Sequence, residues 1–375
     1  MKPVRVLHIL HSMNRGGAET MIMNYYRNIN REKLQFDFLL TVEGKSDYED
    51  EILALGGQVF HVTPLTGKTI GKYCNDIKTF FKGHPEYKII HSHTSSKSVF
   101  ALGIGKKCGI PVRVSHSHNM FLTGGVFSPK EVLRKILRAP LKRVSTHNFA
   151  CSKDAAIWLY GEEYWESGKV KVLPNAIKTE NFRFQKEVRN QYRKQFQLED
   201  AFVVGHVGRF DEQKNHNFLL DIFAEITRKQ DNARLLLVGD GILKDTIEKK
   251  AKQLGIFEKI IFTGVREDVP ALMQMMDVFV FPSHFEGLGI VLVEAQTTGL
   301  PCFTSKDVVP EEVKMTDLVK FISLEETAEN WAGQVLKCAE IRDARTGREQ
   351  EIVTAGYEIQ SAAKKLEEFY LKEYK

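Results

Sequence analysis

Cysteine is scarce in this chain. Five stand among 375 residues (Cys74, Cys108, Cys151, Cys302 and Cys338), and no two form a C-x-x-C. That spacing excludes a zinc-ribbon ligand set and a disulfide framework, and it fits a reducing compartment. Long apolar runs are missing too, since none approaches the ~20 residues that a membrane-spanning helix needs. The first residues pass directly into an apolar strand-like run, VRVLHIL (4–10), so no secretory leader is expected. The expected location is cytoplasmic, with peripheral contact on the inner face of the cell membrane at most. Several motifs are absent as well: the G-K-[ST] of a phosphate loop, G-x-G-x-x-G, the G-x-S-x-G nucleophile elbow, and a D-x-D at a strand end. Their absence argues against a P-loop nucleotidase, a Ser-His-Asp hydrolase and a paired-acid metal chelate. No basic patch is interleaved with aromatic residues, so no nucleic-acid partner is expected.

What is present is ordinary globular material, 43% apolar and 27% charged. The length exceeds what one hydrophobic core usually spans, which argues for two domains. The net charge of +5 is unevenly spread: residues 1–185 hold 27 Lys and Arg against 16 Asp and Glu, and the remainder 26 against 32. A basic first half is either uneven solvated charge or the side that meets an anionic surface.

Apolar runs alternate with longer amphipathic segments: strand-like at 4–10, 34–40, 58–62, 87–93, 111–117 and 147–152, with helical patterns between them. Strand–helix alternation predicts an α/β fold with a doubly wound parallel sheet. KVLPNAIKTENFRF (171–184) breaks the rhythm and reads as a hinge. The alternation then restarts, with strands at 202–208, 233–239, 259–264, 277–282 and 300–305. The expected domains are 1–176 and 177–356, with a C-terminal amphipathic helix in 357–375 packing back on the first. Its stripe is Ala362, Leu366, Phe369 and Tyr370.

Three stretches stand where ligands bind in such sheets, at the carboxyl ends of strands. HILHSMNRGGAET places Gly16 and Gly17 ahead of a helix, where backbone can approach an anion closely. GHVGRFDEQKNH places Arg209 and Lys214 beside another helix start, a good setting for a diphosphate. FPSHFEGLGIVLVEA sets Glu286 and Glu294 around Gly287, Leu288 and Gly289. Carboxylates accept from paired sugar hydroxyls, and glycine N–H groups suit phosphate or sugar oxygens. Each stretch alone has a plain reading as a tight turn or a dipole-favoured acid. Strand tips also carry His91 and His93, then His116 and His118. These histidines are either core hydrogen-bonding groups or the lining of a sugar cleft, and with no acid or cysteine nearby no metal site is expected. SPKEVLRKILRAPLKRV (128–144) combines an apolar stripe (Leu133, Ile136, Leu137, Leu141, Val144) with Lys130, Arg134, Lys135, Arg138, Lys142 and Arg143. It is either a core helix with a solvated basic face or a helix that lies on an anionic bilayer, and Pro140 should interrupt it.

In order, GGAET, HSHN, VLPNAI, GRFDEQKNH, LLLVGDG and F-E-G-L-G with its second Glu resemble the retaining glycosyltransferases of family 4, over nearly the whole chain. The flavour is that of bacterial capsular and exopolysaccharide enzymes. The resemblance implies the GT-B fold, two Rossmann-like domains facing across a cleft, and a nucleotide-sugar donor, UDP by family habit, with no metal cofactor. It implies that Arg209 and Lys214 hold the diphosphate, Glu294 the ribose, and Glu286 the donor sugar with Gly287, Leu288 and Gly289. Val265 and Arg266 would lie at the base, and Gly16 and Gly17 would close over the phosphates. His118 would sit beside the sugar, with His93 and Asn119 on the acceptor side, and the catalytic group would be His118, Glu286, Arg209 and Lys214. A lipid-linked glycan is the implied acceptor. One departure is the hinge, where Ala176 and Lys178 stand for the family's usual Gly and Asp. A sugar-nucleotide epimerase and a non-catalytic scaffold are the competing readings.

Overall fold

A computed structural model describes residues 2–118, 129–337 and 345–374, and of residues 129–131 it describes the backbone. Asn119 and Cys338 lie outside the described residues. The chain forms two compact units, Met1–Ile177 with Gly356–Lys375, and Lys178–Ala355.

The first unit is built on strands β1 (Val4–Leu10), β2 (Leu34–Leu40), β3 (Val59–His61), β4 (Ile89–Ser92), β5 (Val112–Ser117), β6 (His147–Ala150) and β7 (Val170–Val172). They form one parallel sheet in the order β3-β2-β1-β4-β5-β6-β7. All seven residues of β2 are buried, as expected of a strand covered on both faces. One face is covered by helix Gly17–Asn28, which buries Met21, Met23, Tyr25 and Tyr26, and by helix Ile359–Glu373 through Ala362, Ala363, Leu366 and Tyr370. The other face packs Tyr73, Ile77, Phe81, Ala101, Leu102 and Leu159. Strand order reverses at β1, which pairs with β2 on one side and β4 on the other, so the loops after β1 and β4 flank a crevice.

The second unit holds β8 (Phe202–Val207), β9 (Ala233–Val238), β10 (Ile260–Gly264), β11 (Val278–Phe281), β12 (Cys302–Ser305) and β13 (Val319–Ile322). Its parallel sheet runs β10-β9-β8-β11-β12-β13. The reversal falls at β8, between β9 and β11, and the loops after β8 and β11 carry GRFDEQK and the F-E-G-L-G turn.

Several local features differ from the sequence reading. The hinge segment contains β7 and a short 3-10 turn, Thr179–Phe182. Helix Lys186–Gln195 and strand β13 were not expected at all. Helix Pro129–Val144 runs through Pro140, which leaves the carbonyl one turn earlier without its helical donor.

Candidate functional site

In the second unit the β8 loop is shaped by side-chain caps. Asp211 begins the 3-10 turn Glu212–Lys214 and accepts from the Lys214 N–H at 3.3 Å. Asn215 is left-handed (φ 53, ψ 46), and its side chain caps helix His216–Lys229. Together these turn the Lys214 side chain back over the sheet end. Its ammonium donates to Glu286 Oε1 at 2.6 Å and lies 4.7 Å from the centre of the Phe281 ring. Glu286 is buried, and its backbone N–H donates to Val308 O at 3.2 Å. Gln213 ties the two loops further, donating from its side chain to Phe285 O and accepting from the His284 N–H.

The F-E-G-L-G turn ends at Gly289, left-handed at φ 83 and ψ 67, which starts helix Ile290–Thr297. A Cβ there would press on Leu292, Phe281 and Glu286. Leu288 is buried beneath the turn, and Gly287 is buried beside Glu286. Glu294 keeps some exposure as a residue, yet burial pushes its carboxyl up to about 8. No hydrogen-bond partner for that carboxyl stands among the described residues.

Arg209 is exposed at the start of the same β8 loop. Val265 is exposed just beyond β10, and Arg266 is held by Asp268 through two hydrogen bonds of 2.8 and 2.7 Å. Backbone contacts knit these loops together: Gly208 donates to Val238 O, and Gly239 to Gly264 O. At Gly239 (φ 138) a Cβ would meet Gly208 O at 2.1 Å, so only glycine lets the loops approach this closely.

In the first unit Gly16 caps helix Gly17–Asn28 from an extended conformation. A Cβ on Gly17 would meet nothing within 4 Å, so the fold itself leaves room there. His93 and His118 follow β4 and β5, and the Nδ1 of His93 lies 2.7 Å from the Nε2 of His118. Burial holds His118 down to about 3 and His93 well below its ordinary value, so both rings are neutral near pH 7.

Arg209, Lys214, Glu286, Glu294, Val265 and Arg266 thus all stand on loops or helix starts at the carboxyl end of one sheet. Gly16, Gly17, His93 and His118 stand at the carboxyl end of the other. The sequence reading missed the Lys214–Glu286 pair, the Phe281 ring beneath it and the Gln213 tether. The pair joins residues 72 positions apart, and periodicity carries no trace of it. Helix Pro129–Val144 corrects another expectation. Arg134 is buried, stacks 4.5 Å from the Trp158 ring and bonds Trp158 O, while Leu133 and Ile136 are exposed.

Two parallel-sheet units with this end-of-strand apparatus define an α/β protein of the GT-B class. The chain belongs to the glycosyltransferases: residues 15–181 match Glycosyltransferase Family 4 and residues 188–370 match Glycosyl transferases group 1. It is 36% identical over 359 residues to EpsF of Bacillus subtilis (strain 168), a glycosyltransferase by its given name, covering 95% of this chain and 93% of that one. It is 25% identical to the UDP-Gal:alpha-D-GlcNAc-diphosphoundecaprenol alpha-1,3-galactosyltransferase of Escherichia coli, over 80% of this chain and 79% of that one. Among solved structures it resembles Anabaena HepE in complex with UDP and glucose, with a TM-score of 0.78 and 19% identity over 97% of this chain and 98% of that one.

Proposed function

We propose that this chain is a retaining glycosyltransferase of capsular or exopolysaccharide biosynthesis. It moves a hexose or N-acetylhexosamine from a UDP-sugar to a lipid-linked or membrane-proximal glycan. The observation that carries the reading is the buried Lys214–Glu286 pair at the β8/β11 switch point, with Glu294 on the next helix, its carboxyl without a hydrogen-bond partner among the described residues. A cation for the diphosphate, an acid for the donor sugar and an acid for the ribose then supply the three kinds of group that a nucleoside-diphosphate sugar asks for.

The incoming diphosphate competes for the Lys214 ammonium, and Glu286 is released to accept from hydroxyls of the donor sugar. The anomeric C–O bond breaks and its electron pair leaves with the diphosphate. Negative charge grows on that oxygen, where Lys214, Arg209 and the helix N-termini stabilise it. The acceptor hydroxyl oxygen bonds to the anomeric carbon on the same face, and its proton passes to the departing phosphate oxygen. Atoms and charge balance with no protein base. Fixed cations neutralise the diphosphate, so the reading asks for no metal ion. The E. coli relative, by its name, uses UDP-Gal and a diphosphoundecaprenol-linked acceptor, which supports the nucleotide and the acceptor class. The exposed Val132, Leu133 and Ile136 beside exposed Lys135 and Arg143 support contact with an anionic membrane.

The test is transfer from a panel of UDP-sugars to a polyprenyl-diphosphate-linked sugar, with the product anomer read by NMR and EDTA present in one arm. An α-linked product from an α-donor, formed in EDTA, supports the proposal. An inverted anomer, or loss of turnover in EDTA, overturns the corresponding part. Donor conversion with no acceptor would point to an epimerase, and UDP binding without any turnover to a scaffold.

A further inference from the structure

Behind His118, the residue that the resemblance places beside the donor sugar, the first unit contains a run of further histidines. His8, His91, His93, His116 and His118 stand on or just past three adjacent strands, β1, β4 and β5, and their rings lie against one another, all buried save the half-buried His93. Three of them touch nitrogen to nitrogen. His8 Nδ1 lies 2.9 Å from His93 Nε2, and His93 Nδ1 lies 2.7 Å from His118 Nε2. His91 and His116 stack against this chain without joining it, and His91 Nδ1 meets the Tyr370 hydroxyl at 2.5 Å. Burial keeps all five imidazoles neutral near pH 7.

A neutral imidazole carries one N–H and one lone pair. A mixed arrangement would set two N–H groups, or two lone pairs, head to head. The chain therefore has two proton arrangements only: all three rings protonated on Nδ1, or all three on Nε2. The ends differ accordingly. His118 Nδ1 and His8 Nε2 have no hydrogen-bond partner among the described residues. The surroundings of His8 are mostly aromatic, with Phe36 at 4.2 Å and Phe38 at 5.6 Å between ring centres, and with His91 at 5.3 Å and the edge of Tyr370 at 6.4 Å. An aromatic face can receive an N–H but offers nothing to a lone pair. These surroundings favour an N–H over a bare lone pair at His8 Nε2, and the chain would carry that choice to His118.

We propose that His8, His93 and His118 act as one hydrogen-bonded unit, in which buried His8 locks His118 with its Nδ1 unprotonated, as an acceptor for a sugar hydroxyl. His8 and His93 are then positioning residues. The proposal rests on the reading of His118 as a sugar-side group of the transfer reaction.

Long-range proton–nitrogen NMR of the full chain, labelled with 15N-histidine, tests it at neutral pH. The wild type should show His8, His93 and His118 each as a single Nε2–H tautomer. His8→Phe, which suits the surrounding rings, should turn the His118 signal into a mixture of tautomers. It should lower kcat about tenfold, less than the ~10²–10⁴ of a positioned acid or base itself, with little change in donor KM. His8→Asn keeps an acceptor oxygen where Nδ1 stood and should restore both the single tautomer and the rate. A mixed or Nδ1–H His118 in the wild type, or an unaltered His118 in His8→Phe, overturns the proposal. So does about one transition-metal ion retained per purified chain, since the nitrogens of His8, His91 and His93, and those of His93, His116 and His118, lie within 4.8 Å of one another. Coupled spectra with unaltered turnover would uphold the chain and overturn the reading of His118 instead.

Discussion

Lys214 has two charged partners in prospect, the donor diphosphate and the Glu286 carboxylate that it holds in this structure. Its ion pair with Glu286 leaves the two side chains 16% and 7% exposed, so neither charge is well served by water alone. Lys214→Ala should therefore cost stability as well as turnover. Removing the ammonium strands a buried carboxylate, which should cost about 3 kcal/mol, the low end for breaking a buried pair because Lys214 keeps some solvent. Turnover should fall by roughly 10²–10³, the usual loss of one charge-stabilising group. Urea unfolding and initial rates check both, and adding Glu286→Gln should recover stability without recovering activity. Near-wild-type rates in Lys214→Ala would remove Lys214 from the diphosphate site. Glu294 makes a pH prediction. Burial raises its carboxyl from 4.5 to about 8, so between those values the folded state holds a proton that the unfolded chain has lost. That contribution to stability is complete below 4.5 and is lost as pH rises through about 8. Urea midpoints measured across this window should fall with pH for the wild type relative to Glu294→Gln. Parallel curves would show that Glu294 ionises normally. Both acids were legible as candidates from the glycines between them. The state of each was not, because burial and partner depend on loops distant in sequence.

At the scale of elements, legibility followed the apolar pattern and failed where polar groups face inward. Helix Lys186–Gln195 escaped because its buried residues are Arg189 and Arg193, one turn apart, both bound to buried Asp277. No hydrophobic period marks a helix held by its arginines. Strand β13 is four residues long with one exposed lysine, too short for alternation to show. Helix Pro129–Val144 shows the same limit from the other side. Its stripe of Leu133, Ile136, Leu137, Leu141 and Val144 left a core face and a bilayer face as alternatives, and of the five only Leu141 is fully buried, while Ile136 is 63% and Leu133 53% exposed. Arg134 and Arg138 turn inward to bond Trp158 O, and the ammonium of Lys142 lies 4.6 Å from the Tyr164 ring. A membrane test must therefore avoid the inward arginines, whose removal would damage the fold. Vesicles containing phosphatidylglycerol should bind the wild type, and binding should weaken as salt rises. The pair Leu133→Ser and Ile136→Ser should weaken it by at least about tenfold, since burying one such side chain in an apolar phase is worth roughly 1.5–3 kcal/mol. Equal binding by wild type and variant in a sedimentation assay would take this helix out of the membrane contact.

At the scale of the whole molecule, strand–helix alternation with one interruption was enough to read two parallel-sheet units, and the stripe of the last helix was readable too. Strand order was not, because periodicity records which residues are buried and not which strands pair. The two switch points, at β1 and β8, come only from the pairing, and they explain why ligand-type residues cluster after β1 and β4 in one unit and after β8 and β11 in the other. Each unit has its own core, so each can respond separately to a ligand. Apart from Gly16 and Gly17, the nucleotide contacts that the resemblance implies, Arg209, Lys214, Glu294, Val265 and Arg266, belong to the second unit. A UDP-sugar at 100 times its Kd should stabilise that unit by about 2.7 kcal/mol. For a unit of this size the shift should be roughly 5–10 °C in its unfolding transition, at about 2–4 °C per kcal/mol. Calorimetry against UDP-, GDP- and ADP-sugars separates the possible outcomes. A shift with UDP-sugars alone, absent in Lys214→Ala, places the diphosphate on the β8 loop and selects uracil as the base. An equal shift with GDP-sugars would keep the phosphate site and overturn the choice of UDP. No shift with any of them would mean that the Lys214–Glu286 pair is not opened by a diphosphate, and the pair would then be a structural tie between the β8 and β11 loops.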